Sequence, residues 1–186
     1  MAISLKKGHS FDLTKKEPSL QKILVGLGWD VKPGNNLDLD AVCFMLGGNK
    51  KLVSDDYFVF YNNLRSPDKS VEHTGDNRTG IGDGDDEMIL VNLPAVDTTV
   101  EEMLFVVTIN DATLKNHSFG LLDDAFIRIV NVETNEEILR YQLETDYPGA
   151  TEVEFGKLLK DGNEWKFQAV GISTEKGLQG YVDVYA

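Results

Sequence analysis

The sequence predicts an all-β fold, a β-sandwich with a few short helices. Short apolar segments separated by turn residues run along most of the chain, and several of them alternate apolar and polar side chains. In Phe126-Ile127-Arg128-Ile129-Val130, Ile127 and Ile129 lie on the face opposite to Arg128, which is the pattern of a half-buried strand. Many short strands at regular spacing are typical of a sandwich. A length of 186 residues fits a single domain, residues 1–186.

The predicted strands are the segments rich in β-branched and aromatic residues. They comprise residues 23–28, 41–46, 57–61, 88–93, 104–109, 126–130, 137–143, 165–169 and 181–185. Helical signals are few. Asp97, followed by Glu101 and Glu102, has the capping residue and early acids of a short helix over residues 97–103, and residues 151–160 predict a second one.

The charge balance excludes some classes of partner. Asp and Glu number 31 against 18 Lys and Arg, which gives a formal net charge of −13. Binding to nucleic acid or to an anionic membrane depends on basic side chains, so neither is expected. An acidic protein of this kind suits cation binding. No apolar run reaches the ~18 residues of a membrane span, the start lacks a secretory core, and Cys43 is the single cysteine. We therefore expect a cytoplasmic protein without direct membrane insertion.

The most acidic segment, residues 76–87, is called the acidic loop below. It carries five carboxylates and one cation, Arg78, among closely spaced glycines; the carboxylates belong to Asp76, Asp83, Asp85, Asp86 and Glu87. Two carboxylates about 4 Å apart repel by roughly 4 kcal/mol at an effective dielectric constant near 20. A hard divalent cation would neutralise them, and its preferred ligands are carboxylate and carbonyl oxygens. The loop is therefore predicted to bind Ca²⁺, the alternative being a solvated acidic turn, because Asp-Gly pairs are common in hairpins.

The acidic loop does not match known calcium motifs. Its first and last residues superficially resemble an EF-hand loop, but Arg78 occupies the third position and Ile81 stands where the turn glycine belongs. The glycine-aspartate pattern of β-rolls occurs only once, and one copy cannot form a roll. Calcium would therefore be bound by a geometry specific to this loop.

A second group of polar residues follows other predicted strands. Asp30 ends the first strong strand, Asp38 and Asp40 lie two residues apart after Asn35-Asn36, and Asn62-Asn63 follows the aromatic strand. If these strand ends converge at one pole of the sandwich, their oxygens form one acidic surface with the loop. Asn110-Asp111 could approach the same pole. Turn capping is the alternative role for these residues.

Other chemistries fit the sequence poorly. The three histidines are far apart in sequence, and Cys43 is the only cysteine that could bind zinc with them, so a zinc site is not expected. Cys43 lies in the apolar run Ala41–Leu46 and is expected to be a buried small hydrophobe rather than a reactive thiol. No nucleophile elbow, phosphate loop or dinucleotide fingerprint is present, so no enzyme activity is expected.

The chain resembles the TerD family of bacterial tellurite-resistance and general stress proteins. The resemblance covers nearly the whole chain in order, and the segment Gly75-Asp76-Asn77-Arg78-Thr79-Gly80 with the acidic run behind it is highly specific. The matching segments are residues 3–8 (ISLKKG), 25–30 (VGLGWD), 38–41 (DLDA), 58–64 (FVFYNNL), 74–87, 126–128 (FIR) and 164–171 (EWKFQAVG). Ile81 departs from the pattern, because a polar residue is expected there.

The resemblance implies a β-sandwich with two neighbouring calcium ions, no catalytic activity, and protein partners from the same stress system. The metal ligands that it supports are Asp30, Asp38, Asp40, Asn62, Asn63, Asp76 and residues 83–87. Two other functions stay open: a scaffold that is permanently loaded with calcium, and a handler of tellurium oxyanions that depends on the thiol of Cys43.

Overall fold

The computed structural model describes residues 2–76, 84–143 and 147–186, with Asp76 described by its backbone alone. Two six-stranded sheets dominate the described residues, which confirms the predicted all-β sandwich with a few short helices. The strands are β1 (Ile3–Leu5), β2 (Ser10–Asp12), β3 (Lys22–Val31), β4 (Leu39–Leu46), β5 (Phe58–Val59), β6 (Val71–Asp76), β7 (Glu87–Asn92), β8 (Glu102–Ile109), β9 (Leu122–Asn131), β10 (Glu136–Gln142), β11 (Glu152–Asp161) and β12 (Glu164–Thr174). The helices are α1 (Leu13–Lys16), α2 (Ala112–Lys115) and α3 (Gly177–Tyr185), and single 3₁₀ turns span Asp55–Tyr57, Leu93–Ala95 and Phe119–Leu121.

The two sheets interleave distant parts of the chain. Sheet A has the order β1-β10-β9-β3-β7-β6, and sheet B has the order β2-β12-β11-β8-β4-β5. Strand β1 runs parallel to β10, whereas the remaining pairs are antiparallel. The acidic loop joins β6 to β7 at one edge of sheet A. Strands β3 and β7 are direct neighbours, so the end of this loop returns beside the end of β3.

The main core lies between the sheets. Alternate residues of each strand face it, as the pleat requires: Val25 and Ile127 come from sheet A, and Val107 and Phe155 come from sheet B, all of them inaccessible to solvent. One continuous apolar cluster therefore holds both sheets.

A second apolar cluster covers the outer face of sheet B. Phe44 and Phe58 stack there with ring centroids 4.5 Å apart, and Tyr181 and Tyr185 of α3 pack on Phe44. The hydroxyl of Tyr181 donates a hydrogen bond to Glu154 Oε1 over 3.2 Å, and the amide of Leu52 donates to the carbonyl of Tyr185 over 2.6 Å. Helix α3 thus closes a face that would otherwise expose aromatic rings to water.

Three predicted elements were wrong. Residues 151–160 form β11 rather than a helix, because the segment pairs with β8 on one side and β12 on the other. Residues 97–101 form a turn and residues 102–103 begin β8: Asp97 Oδ1 accepts hydrogen bonds from the amide and hydroxyl of Thr99. Residues 181–185 lie in α3 rather than in a strand. Across the described ranges, none of the helices has the length and apolar character needed to cross a membrane.

Candidate metal centre

The end of the acidic loop meets the end of β3. The amide of Asp86 donates to the carbonyl of Leu27 over 2.8 Å, and Asp86 Oδ2 accepts a hydrogen bond from the amide of Trp29 over 2.7 Å. Partial desolvation and the carboxylates of Asp30, Asp85 and Glu87 raise the pKa of Asp86, and the Trp29 amide opposes this effect. The carboxylate of Asp86 and that of Asp30, which is exposed, therefore lie close together near the end of β3.

Glu87 links the same loop to sheet B. Its Oε2 accepts a hydrogen bond from the amide of Ala41, next to Asp40 at the start of β4, and lies 3.3 Å from Nε2 of His73. Nδ1 of His73 accepts from the amide of Gly75, which places the proton of the neutral ring on Nε2. Burial lowers the pKa of His73, but Glu87, the carbonyl of Ala41 and Asp40 together raise it. Glu87 thus ties β7 and β6 to the first residues of β4.

Asp85 has a different environment. Its side chain is fully buried, and its two oxygens accept hydrogen bonds from Nε and Nη2 of Arg128, each over 2.8 Å. Burial raises the pKa of Asp85, whereas Arg128 and Arg140 lower it. Glu137 in turn accepts hydrogen bonds from Arg128 and from Arg140. Asp85 therefore belongs to a four-residue ion network on the outer face of sheet A.

Two glycines of β3 make this path possible. A Cβ at Gly26 would overlap the carboxyl group of Asp85, and a Cβ at Gly28 would meet the ring of Phe126 and the carbonyl of Gly84. Residues 84–85 consequently cross the outer face of β3 where it has no side chains, and Asp85 reaches Arg128 on β9, whose register partner on β3 is Gly26.

The second acidic segment lies at the same pole, on sheet B. Asp38 Oδ2 accepts a hydrogen bond from Nδ2 of Asn110 over 3.1 Å, and the amide of Asn110 donates to the carbonyl of Asp38 over 2.7 Å. This contact agrees with the expectation that Asn110 approaches the pole. Asp40, Tyr61, Asn110 and Asp111 line a cleft of about 350 Å³. Asp38 is exposed, and Asp40 is half-buried.

The predicted amide ligands differ from each other. Asn62 is exposed, while Nδ2 of Asn63 donates to the carbonyls of Asp56 and Phe58 over 2.9 and 2.7 Å. The side-chain amide of Asn63 therefore stabilises the turn after β5. Asp83, Ile81, Arg78 and the side chain of Asp76 lie outside the described residues.

Comparison with known proteins adds the family. The protein-family model described as the TerD domain matches residues 1–185. The chain belongs to the TerD family.

Curated TerD-family relatives are similar over nearly their full length. The chain is 49% identical over 180 residues to the tellurium resistance protein TerD of Serratia marcescens, covering 96% of this chain and 94% of that one. It is 46% identical over 181 residues to general stress protein 16U of Bacillus subtilis, with the same coverage. A crystal structure of a homologue of telluride resistance protein from Streptomyces coelicolor A3(2) superposes with a TM-score of 0.65 at 18% identity, over 88% of this chain and 95% of that one. That likeness shows a shared fold.

The oxygen donors at this pole of the TerD domain fit calcium in their chemistry. Asp30, Asp38 and Asp86 are exposed carboxylates, and hard oxygen ligands are those that calcium prefers. Within residues 2–76, 84–143 and 147–186, no group of three or more His, Cys, Asp or Glu side chains is arranged to hold a metal ion. A complete site would therefore also need acids outside those residues, such as Asp83.

Sequence reasoning missed several residues around the candidate site. Arg128 and His73 pair with acids of the loop, and Gly26 and Gly28 provide its path, yet none of the four was singled out as a candidate. For Gly26, Gly28 and Arg128 the only signal was the resemblance, which included residues 25–30 and 126–128, and for His73 there was none. Cys43 is completely buried, and this burial raises the pKa of its thiol far above the usual range.

Proposed function

We propose that this chain is a calcium-binding stress protein of the tellurium-resistance type. It binds about two calcium ions through the acidic residues at one pole of the sandwich and acts through protein partners rather than by catalysis. The proposed ligands come from Asp30, Asp38, Asp40, Asn62, Asn63, Asp76, Asp83, Asp86 and Glu87. The sequence also predicted Asp85, but both of its side-chain oxygens are hydrogen-bonded to Arg128.

One observation carries the proposal: hydrogen bonds to Asp86 and Glu87 bring two separate acidic segments to the acidic loop. The amide of Trp29 places Asp30 beside Asp86, and the amide of Ala41 places Asp40 beside Glu87. Carboxylates crowded in this way repel one another, so a divalent cation lowers the energy of the folded state. Two calcium ions would change the formal net charge from −13 to −9. The binding of calcium would thus alter the field at this pole and fix the loops for a partner.

Calorimetry on chelated protein tests the binding. Titration with CaCl₂ is expected to release or absorb heat and to raise the melting temperature, whereas MgCl₂ binds more weakly because it demands a tight octahedron. Asp30→Asn and Asp38→Asn are expected to weaken calcium binding by about tenfold or more, since affinity follows the charge count of the ligands. Asp161→Asn is the matched control, because Asp161 lies at the end of β11 that is remote from this pole. Absence of both heat and stabilisation at millimolar calcium would refute the proposal.

The affinity separates a switch from a permanently loaded scaffold. Dissociation constants of about 10⁻⁷ to 10⁻⁵ M fit a sensor, and much tighter binding fits permanent loading. Affinity capture of partners with and without a chelator completes the test. A sensor gains or loses partners when the chelator removes calcium, whereas a permanently loaded scaffold keeps its calcium and therefore the same partners.

A further inference from the structure

Asp85 is set apart from the other acids of the loop by its burial and its partner. Its side chain is 0% exposed, and both of its oxygens are occupied by one guanidinium group, that of Arg128. Bidentate pairs of this kind fix orientation as well as charge. A buried carboxylate held in this way has its negative charge neutralised without a metal ion.

The surroundings of Arg128 hold its guanidinium in place. Nη1 of Arg128 donates to Glu137 Oε2 over 3.0 Å, and Glu137 is held in turn by two hydrogen bonds from Arg140. The guanidinium of Arg140 lies over the ring of Phe126, 4.1 Å from its centroid. Gly26 supplies the space in which the carboxyl group of Asp85 lies. The guanidinium of Arg128 is therefore hydrogen-bonded on both sides, to Asp85 and to Glu137.

Asp85 is directly followed by the two acids that contact the other segments of the pole. Asp86 accepts from the amide of Trp29, and Glu87 accepts from the amide of Ala41. We propose that Asp85 anchors residues 84–87 and is not a calcium ligand, and that Arg128 is a positioning residue: by holding Asp85 over Gly26 it places Asp86 and Glu87 against β3 and β4. Arg128 thereby sets the calcium affinity of the pole without touching the ion.

Anchoring and simple electrostatics predict opposite effects of removing Arg128. If the guanidinium acted only by its charge, Arg128→Gln would remove a repulsion and release a carboxylate, so calcium would bind more tightly. With the anchor lost, Asp86 and Glu87 are no longer held in position, and calcium binds more weakly. Loss of residues that orient metal ligands typically lowers affinity by about 10–100-fold. The sign of the change in affinity therefore separates the two roles.

The anchoring contact is tested first without calcium, by hydrogen exchange of backbone amides. In Arg128→Gln the amides of Trp29 and Ala41 are expected to exchange at least about tenfold faster, because their acceptors are released. Arg140→Gln removes the same charge from the same face and leaves both hydrogen bonds from Arg128 to Asp85 in place, so it is expected to speed exchange of both amides far less than Arg128→Gln does. Unchanged exchange in Arg128→Gln would overturn the anchor.

Two further variants keep the test valid if Arg128→Gln folds poorly. Arg128→Lys keeps the charge but loses the two-pronged contact, and Asp85→Asn/Arg128→Gln removes both charges and leaves no buried ion unpaired. Both are expected to speed exchange at Trp29 and Ala41. Wild-type rates in both variants would contradict the anchoring role.

Calcium titrations then test the positioning role, which rests on the proposed function. Asp85→Asn and Arg128→Gln are each expected to weaken binding by about tenfold or more, and the double variant is expected to be no weaker than either, because both changes remove one contact. Additive losses, or tighter binding in Arg128→Gln, would assign Asp85 to the ligands. A wild-type protein that binds no calcium would refute the proposed function and the positioning role with it, while the anchoring contact would still be decided by the exchange rates.

Discussion

At Gly26 a single missing side chain makes room for the carboxyl group that anchors the acidic loop. A Cβ at this position would overlap the Asp85 carboxyl group, which cannot retreat because its side chain is fully buried against Arg128. The backbone of Gly26 is ordinary strand, so the requirement concerns space and not conformation.

Gly26→Ala is therefore expected to be destabilising. The added methyl group displaces Asp85 or shifts β3, and overpacking of this kind costs about 1–3 kcal/mol. Urea unfolding followed by tryptophan fluorescence measures the loss. The matched control is Gly48→Ala, where the nearest atom to an added Cβ is 3.9 Å away; a loss of equal size in both variants would contradict the explanation.

The thiol of Cys43 gives a second prediction at this scale. Because Cys43 is completely buried and burial raises the pKa of its thiol, the reactive thiolate is scarce and out of reach in the native protein. We expect a disulfide reagent at pH 8 to modify Cys43 rapidly in guanidinium chloride and only at the rate of unfolding in buffer. Rapid modification of the native protein would instead support the thiol-dependent function.

The pairing of Asp85 with Arg128 shows what the sequence could not supply at the residue scale. Charge density drew attention to residues 76–87, but it treated their carboxylates as equivalent. Asp85 and its partner are 43 residues apart, and only the order β7-β3-β9 brings them together. One carboxylate of the cluster was therefore neutralised by a residue that no local pattern connects to it.

At the scale of elements, Asp68 joins two connections that are distant in sequence. Its Oδ1 accepts hydrogen bonds from the hydroxyl of Ser66 and from the amide and hydroxyl of Ser70, and its Oδ2 accepts from the amide of Asp97 over 2.9 Å. The turn before β6 is thereby fastened to the turn before β8. Burial raises the pKa of Asp68, but these hydrogen bonds together lower it by more than burial raises it. The native pKa therefore lies below the ordinary value.

The stabilisation from Asp68 is expected to depend on pH. An Asp with a lowered native pKa stabilises the protein above its unfolded pKa of about 3.9, and this contribution is lost as the pH falls through the native pKa. Asp68→Asn should therefore be less stable than the wild type at pH 7, by about 1–2 kcal/mol, and the difference should begin to shrink as the pH falls below about 4. Urea unfolding from pH 7 to pH 3 measures this, with the exposed Asp161→Asn as control. A difference that stays constant over this range would exclude the ionised form of Asp68 as its cause.

Three elements show why strand and helix assignments failed where they did. In β11 a register shift between Glu154 and Gly156 interrupts the alternation of buried residues. The two-residue period that is typical of a strand is therefore not visible in its sequence. Asp97 has the capping chemistry of a helix start but binds Thr99 in a turn. In α3 the apolar residues at 178, 181, 182 and 185 share one helical face, which packs on the outer cluster of sheet B. Most other predicted strands correspond to observed ones, because their neighbours in the sheets reinforce the local pattern.

For the molecule as a whole, one core cluster contains residues of both sheets. Neither sheet can lose its partner without exposing that shared surface, so we expect a single cooperative transition, with equal calorimetric and van't Hoff enthalpies. Differential scanning calorimetry of the calcium-free protein measures both. Two resolved transitions would contradict the prediction that residues 1–186 form one domain.

Strands β1 and β2 each pair with a strand that is distant in sequence, and this has a consequence for the order of folding. Strand β1 lies beside residues 139–141, and β2 lies beside residues 166–168. Each of these strands therefore lies more than 130 residues before its sheet partner in the sequence. Contacts between such distant residues give a high contact order, which is associated with slow folding. We therefore expect β1 and β2 to join their sheets late in folding, after the strands with which they pair.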